Sequence, residues 1–363
     1  MQRISNKFFF ALPDGSQATE YTLRNNNGLT AAFCNYGAVI TGIAIPDKNG
    51  RLLDVTLGFH NPSDYIENLH HFGATIGRYA NRIRHGHFTL DGREYQIPAN
   101  NPFGHAQHGG PLGFHKALWS AKTVGNALTF SHVSPDGDQG FPGKLSIQIT
   151  YSLTDSNELR IEYRAVTDKT TVLNLTNHVY FNLSGQPDRL INHHEVFINA
   201  ASYVEVDREA IPTGRILPVD DTLLDLRLSR ELCSILESSH PLIADSSGFD
   251  QNYVVDADCR NLQTPAAAVF CRQSGILLEM FTTEPAIGFY TGNFLGSELP
   301  GKGGQPYRKH AGLCLEAQHY PDSVNHPEFP STVLRPDEEY TQSTIYRFSS
   351  VEKNRSFYII KRT

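Results

Sequence analysis

Two short segments carry side chains able to move protons. In Asn174-Leu175-Thr176-Asn177-His178-Val179-Tyr180-Phe181-Asn182-Leu183, the period of two that a strand imposes separates two unlike faces. Leu175, Asn177, Val179, Phe181 and Leu183 form one, mostly core material, while Asn174, Thr176, His178, Tyr180 and Asn182 form the other. Every member of the second face is an uncharged hydrogen-bonding group, and a histidine stands at its centre. A strand face that is merely solvated tends to carry Lys, Glu or Thr. This one suits a ligand covered in hydroxyl groups with a proton-transfer residue in its midst, so a sugar site is expected.

The second segment, Leu313-Cys314-Leu315-Glu316-Ala317-Gln318-His319-Tyr320, alternates in the same way. Leu313, Leu315 and Ala317 would point to one side, and Glu316, Gln318 and Tyr320 to the other. A lone carboxylate between apolar neighbours on a strand is partly desolvated. Desolvation raises its pKa towards the working pH, which suits a general base. A glutamate on a solvated sheet edge, or one paired with an arginine, is the competing reading of this segment alone.

The elements that must position these groups read as β almost throughout. Leu145, Ile147, Ile149, Tyr151 and Leu153 alternate with polar residues. After a turn at Asp155-Ser156-Asn157, Leu159, Ile161, Tyr163 and Ala165 alternate again, predicting a hairpin with one buried face. Phe88-Thr89-Leu90 and Arg93-Glu94-Tyr95-Gln96-Ile97 flank Asp91-Gly92, which supplies the positive φ of a two-residue turn. Shorter strands are expected over 29–33, 39–45, 54–58, 195–199 and 275–282. Two helices are predicted: one over Pro62-Ser63-Asp64-Tyr65-Ile66 capped by Asn61, and one spanning Leu228, Leu232, Ile235 and Leu236. No repeat or composition break divides the chain. The expectation is one large antiparallel β-sandwich domain over residues 1–363.

Chain-wide properties narrow the function. With 363 residues and a net charge of −7 there is no basic footprint for nucleic acid and little attraction to an anionic membrane. No apolar run approaches the length of a spanning helix. Five cysteines, an odd number without CxxC spacing, predict neither a disulfide framework nor a zinc knuckle. The apolar stretch near Phe8-Phe9-Phe10 is too short for a secretory signal, so a cytoplasmic protein with free thiols is expected. Among 16 histidines, His85-Gly86-His87 with Glu94 and the run His193-His194-Glu195 lack metal spacing. His105 and His115 read as loop residues. No metal or cofactor is expected, and no heptad or apolar edge marks an oligomer interface.

Further motifs run along nearly the whole chain: Gly77-Arg78-Tyr79-Ala80-Asn81-Arg82-Ile83, His108-Gly109-Gly110-Pro111-Leu112-Gly113-Phe114, Gly140-Phe141-Pro142-Gly143, Ile211-Pro212-Thr213-Gly214, Phe249-Asp250-Gln251-Asn252-Tyr253, Phe289-Tyr290-Thr291-Gly292-Asn293-Phe294, Pro321-Asp322-Ser323-Val324-Asn325-His326-Pro327 and Leu334-Arg335-Pro336. With the two segments above, and in this order, they resemble the galactose mutarotase (aldose 1-epimerase) family. The resemblance implies a β-supersandwich that interconverts the α and β anomers of free aldohexoses such as galactose and glucose, without cofactor or metal. By family role Glu316 would be the base at the C1 hydroxyl and His178 the acid at the ring oxygen. The ring would open to the aldehyde, the C1–C2 bond rotate, and the ring close on the other face. Asn81, Arg82, His108 and Asp250 match residues that bind the sugar, and Tyr180 would line the same pocket. Arg82 is preferred over Arg78 for the sugar. With reference pKa values of about 4.3 for Glu and about 6.5 for His, modest tuning would suffice.

Two positions depart from the family pattern. Gly288 stands where a glutamine is frequent, removing one side chain beside the sugar, and Gln251 stands where a histidine is frequent. Competing functions remain at this level. A glycoside hydrolase would need a second carboxylate about 5–9.5 Å from the first, and only Asp250 offers itself. A hexose-phosphate epimerase of the same fold would need an Arg or Lys cluster. A non-catalytic sugar-binding protein would have no use for both Glu316 and His178.

Overall fold

The computed structural model describes residues 3–296 and 299–350. Alternating apolar residues fold into three antiparallel sheets. The first is a five-stranded meander of Ile4–Ala11, Gln17–Arg24, Thr30–Cys34, Val39–Pro46 and Leu52–Asp54. The second, of nine strands, is centred on Leu145–Leu153, Glu158–Thr167, Tyr340–Ser350 and Ile276–Thr282. The third runs in the order Tyr180–Phe181, Leu313–Gln318, Ala286–Tyr290, Asp250–Val254, Ser202–Val206 and Pro212–Pro218. One apolar cluster joins all three, from Leu23 to Phe348. It takes Ile43 from the first sheet, Ile149 and Tyr346 from the second, and Leu313, Leu315 and Phe289 from the third. Sheets packed through alternating inner faces make a sandwich, as expected.

Both hairpins form as the alternation requires. Leu145–Leu153 pairs with Glu158–Thr167 through nine registered pairs, with buried residues at every second position. The Asp91-Gly92 turn has φ of 48° and 76°, the left-handed pair that matches the twist of a two-residue hairpin. Other elements differ from expectation. The predicted helix over Leu228–Leu236 is cut to Cys233–Leu236, because Arg230–Glu231 joins the edge of the large sheet beside His194–Ile198. Pro62–Ile66 is a 3₁₀ helix, and the Asn61 side chain makes no capping bond. The strand expected over 54–58 ends at Asp54, leaving Thr56 as an isolated bridge to Phe181.

The largest correction concerns residues 174–183. This is not one strand with two unlike faces. Thr176–Asn177 pairs with Thr75–Ile76 and Tyr180–Phe181 pairs with Leu313–Gln318, while His178 and Val179 lie in the break between. All ten residues are buried. Asn174 and Asn182 fasten backbone and do not face a ligand. Asn174 Oδ1 accepts from the His319 N–H at 2.9 Å, and the Asn182 side-chain amide donates to the carbonyls of Arg189 and Ala311, each at 2.8 Å. Such bonds satisfy backbone groups the broken ladder would otherwise leave orphaned. The break is what turns the His178 ring towards the third sheet.

Arg78 is structural. Its guanidinium is 2 % exposed and donates to Ser134 Oγ and to the carbonyls of Ser134, Pro135 and Pro142 at 2.8–3.0 Å. It therefore pins the loops around 134–142 against the Gly77–Ile83 segment that delivers Asn81 and Arg82. Arg78→Met should leave these acceptors unpaired and lower stability by about 3 kcal/mol. Urea unfolding checks this, and a change below about 1 kcal/mol, the net value of one ordinary hydrogen bond, would contradict it.

Candidate active site

Three strands of the third sheet and two loops converge on a small buried polar cluster. Leu313–Gln318 supplies Glu316. Leu313, Leu315 and Ala317 belong to the main core, whereas Cys314 belongs with Tyr180 to a second apolar cluster on the other side. Alternation thus places Cys314, Glu316 and Gln318 on one face, as the sequence predicts for Glu316 and Gln318. His178 arrives from the break described above. Its Nε2 lies 3.7 Å from Glu316 Oε1 and its Nδ1 lies 3.5 Å from Cys314 Sγ.

The remaining expected residues join this pair in a chain of contacts. Arg82 donates to Asp250 Oδ2 at 3.2 Å and to Asn81 Oδ1 at 3.2 Å. Asn81 sits at φ 62° and directs its N–H to Nδ1 of His108, 3.3 Å away. That bond requires an acceptor at Nδ1, so the neutral His108 ring carries its proton on Nε2. The His108 ring is 5.3 Å from that of His178, and the Tyr180 ring is 5.0 Å from it on another side. All seven residues singled out in the sequence therefore meet at one place. The most accessible side chains among them are the Arg82–Asp250 pair, at 14 % and 20 %, so the cluster comes nearest to solvent there.

Burial sets the charges. Desolvation, reinforced by the nearby Asp250 carboxylate and opposed by Arg82, pushes the Glu316 carboxyl up to about 8. Desolvation holds the His178 imidazole down to about 4. The modest tuning expected from reference values is thus corrected. Burial disfavours the charged form of each group, so the two are driven in opposite directions, towards a neutral carboxyl beside a neutral imidazole. Glu316 Oε2 is buried with no hydrogen-bond partner among the described residues, an acceptor position left for a ligand hydroxyl.

Sequence reasoning missed several neighbours. The half-buried His71 ring lies 4.9 Å from His108, 4.6 Å from His115 and 5.9 Å from His178, and desolvation lowers the pKa of His71 and His115. His115 is therefore more than a loop residue; His105 instead lies apart, beside Glu209. The signal available was the His70-His71 pair just before Phe72-Gly73. Tyr290, with its ring 6.4 Å from that of His178, also went unremarked as a neighbour.

The two departures take definite places. Gly288 faces Glu316 directly across the ladder. A Cβ there would meet Asn252, Gln318 and Glu316 at 3.4–3.5 Å, so packing does not demand glycine. Gln251 ties down its loop, its amide donating to the Leu242 carbonyl at 3.1 Å. As to metals, His178, Cys314 and Glu316 are the one group of three possible ligand residues among the described residues. Catalytic zinc takes three protein ligands, and two of these three, His178 and Glu316, are the pair that the sequence singles out for acid–base work.

Residues 19–347 match the family profile described as aldose 1-epimerase. The chain is 44 % identical over 349 residues to galactose mutarotase of Rattus norvegicus, covering 96 % of this chain and 99 % of that one. It is 38 % identical over 344 residues to aldose 1-epimerase of Escherichia coli K12, covering 93 % and 96 %. Among solved structures, an aldose epimerase homologue from C. elegans superimposes with a TM-score of 0.84 at 33 % identity, covering 91 % of this chain and 98 % of that one. Galactose 1-epimerase from Lactobacillus acidophilus NCFM gives 0.84 at 25 % identity, covering 96 % and 99 %.

The raised Glu316 pKa makes a stability prediction independent of any activity. A carboxyl raised in the folded state stabilises the protein fully below its unfolded value of 4.5, and that contribution is lost as pH rises through about 8. Glu316→Gln, which cannot ionise, should therefore gain stability relative to the parent as pH is raised across that window. Parallel denaturation curves at several pH values read the difference; one that stays flat would contradict the assignment.

Proposed function

The chain belongs to the aldose 1-epimerase family, and from that premise we infer that its buried Glu316–His178 pair carries out the interconversion of the anomers of aldoses. It is an isomerase of the mutarotase type. The substrates inferred are free aldohexoses such as galactose and glucose, handled by a single domain in the cytoplasm. The large apolar cluster from Leu23 to Phe348 supports the single domain, and an odd number of cysteines without CxxC spacing supports the cytoplasm.

The observation that carries the mechanism is the approach of two buried, oppositely shifted groups, His178 Nε2 and Glu316 Oε1, to 3.7 Å. Ring opening needs one base at the C1 hydroxyl and one acid at the ring oxygen, and closure on the other face needs the same two in reverse. The pair in its mid-pH state holds the correct number of protons for both. Sugar hydroxyls donating to the unpartnered Oε2 stabilise the Glu316 carboxylate, and the proton moves to His178. Glu316 then takes the C1 proton while His178 Nε2 protonates the ring oxygen. The aldehyde rotates about C1–C2 and the transfers run backwards. Arg82, Asn81, Asp250, His108 and Tyr180 hold the hydroxyls. Discrimination between galactose and glucose rests on where these donors meet O4.

A phosphate-bearing substrate fits less well. Arg78 is consumed by backbone carbonyls and Arg82 is paired with Asp250, so among the described residues neither arginine of this segment is left for a phosphate.

Glu316→Gln keeps shape but cannot accept a proton, so turnover should fall at least roughly a hundredfold. Polarimetry of freshly dissolved α-D-glucose and α-D-galactose measures it, and retention of more than about a tenth of the parent kcat would overturn the role. For the parent, kcat/KM should be bell-shaped with limbs near about 4 and about 8. Below the lower limb the pair takes a second proton and lacks a base; above the upper limb it loses its only proton and lacks an acid. His178→Asn should lower the rate and abolish the alkaline limb. If that variant keeps the parent rate and an unchanged limb, His108 becomes the better acid. Dialysis against EDTA should leave activity intact, whereas a loss restored by zinc or magnesium would show that a metal takes part.

A further inference from the structure

The face of the third sheet that carries Glu316 has a gap beside it. Gly288 is registered opposite Glu316 on one side and opposite Asn252 on the other, so the three form one row across adjacent strands. His178 flanks Glu316 from the other edge, where Tyr180–Phe181 pairs with the same strand. The row therefore runs His178, Glu316, Gly288, Asn252, with neighbouring strands about 4.8 Å apart. Its third place has no side chain. A Cβ at 288 would lie 3.4 Å from Asn252 Oδ1 and from Gln318 Nε2, and 3.5 Å from Glu316 Cβ. Those are ordinary contacts, and the Gly288 backbone is not left-handed, so neither crowding nor strain calls for glycine. Resting on the roles inferred for Glu316 and His178, we propose that Gly288 sets specificity at C2 of the sugar: the gap receives a 2-acylamino group, making 2-acetamido aldohexoses substrates alongside the unsubstituted ones.

The order of the row fixes which carbon meets the gap. C1 of a pyranose is bonded to the ring oxygen on one side and to C2 on the other. With the C1 hydroxyl at Glu316 and the ring oxygen at His178, C2 is carried away from His178 and over Gly288. A hydroxyl at C2 leaves the gap unfilled, whereas a larger substituent there has somewhere to go. The walls suit an amide. Gln318 Nε2 donates to Asn252 Oδ1 at 2.7 Å, which joins the two side chains around the gap. Gln318 Oε1 is buried with no partner among the described residues, and the Asn252 amide offers Nδ2 as a donor. A secondary amide brings one N–H and one carbonyl, the complement of that acceptor and that donor. An unpaired buried acceptor is costly, so an N–H delivered to it is favoured over a hydroxyl that stops short. The chemistry at C1 is unchanged, because the acylamino nitrogen takes no part in ring opening.

Polarimetry of freshly dissolved 2-acetamido-2-deoxy-α-D-glucose beside α-D-glucose tests this. In the parent, kcat/KM for the acetamido sugar should lie within about tenfold of that for glucose, less than the discrimination of a pocket that rejects added atoms. Gly288→Ala fills the first carbon of the gap and Gly288→Gln fills more of it. The ratio of acetamido to unsubstituted kcat/KM should fall about tenfold in the alanine variant and at least about a hundredfold in the glutamine variant, the span expected for one or more displaced methylenes. The ratio isolates specificity, since a variant that merely packs badly slows both sugars together. A parent active on glucose and inert on the acetamido sugar overturns the inference and leaves the proposed function standing. A ratio that neither variant changes also overturns it, because the acyl group then lies elsewhere. A parent inert on both sugars overturns the proposed function and the inference with it.

Discussion

Two ionisable groups kept from water, with one proton between them, set the terms for the whole site. Water would hold Glu316 ionised and offer His178 a pKa near neutrality. Removal from water raises the first to about 8 and lowers the second to about 4. Burial therefore favours the neutral form of both, and they sit 3.7 Å apart as carboxyl and imidazole rather than as a solvated ion pair. On the proposed mechanism, charge separates when a polyhydroxylated ligand arrives to solvate it. The cost of desolvation thus links substrate binding to the appearance of an acid and a base.

The fold serves that constraint. A regular strand through His178 would point its ring along the sheet normal of its own ladder. The broken ladder at 178–179, with Asn174 and Asn182 fastening the loose backbone, lets the ring lean against Leu313–Gln318. Arg78 performs a comparable service for Asn81 and Arg82 from beneath. The charged groups that remain, Arg82 and Asp250, pair where the cluster comes nearest to solvent. There their opposed influences on Glu316 partly cancel, and burial remains the dominant cause of its shift.

How far the sequence reveals this depends on what each signal is made of. Glu316 was legible because alternation with Leu313, Leu315 and Ala317 survives in the structure, so its face follows from spacing alone. His178 lies beside Glu316, but not by the strand alternation that singles it out in the sequence. Its polar companions Asn174 and Asn182 were read as ligand-facing, but they bond to backbone, a demand that arises only when a ladder is interrupted. Asn81, Arg82, His108 and Asp250 came from family motifs, and no periodicity could have joined residues 168 positions apart, as are Arg82 and Asp250. The Leu228–Leu236 helix failed because sheet-edge pairing at Arg230–Glu231 outweighed a local spacing signal. The order of the two pKa values was not legible at all, since it depends on the depth of burial of both groups.

The central claim is that, without ligand, the shared proton rests on Glu316 at neutral pH. Infrared difference spectroscopy between the parent and Glu316→Gln, at about pH 6 where an ordinary glutamate is fully ionised, reads that proton directly. The account predicts a protonated carboxyl band in the parent that the variant lacks and that disappears when sugar is added. A carboxylate band at that pH, with no protonated carboxyl lost in the variant, would contradict it.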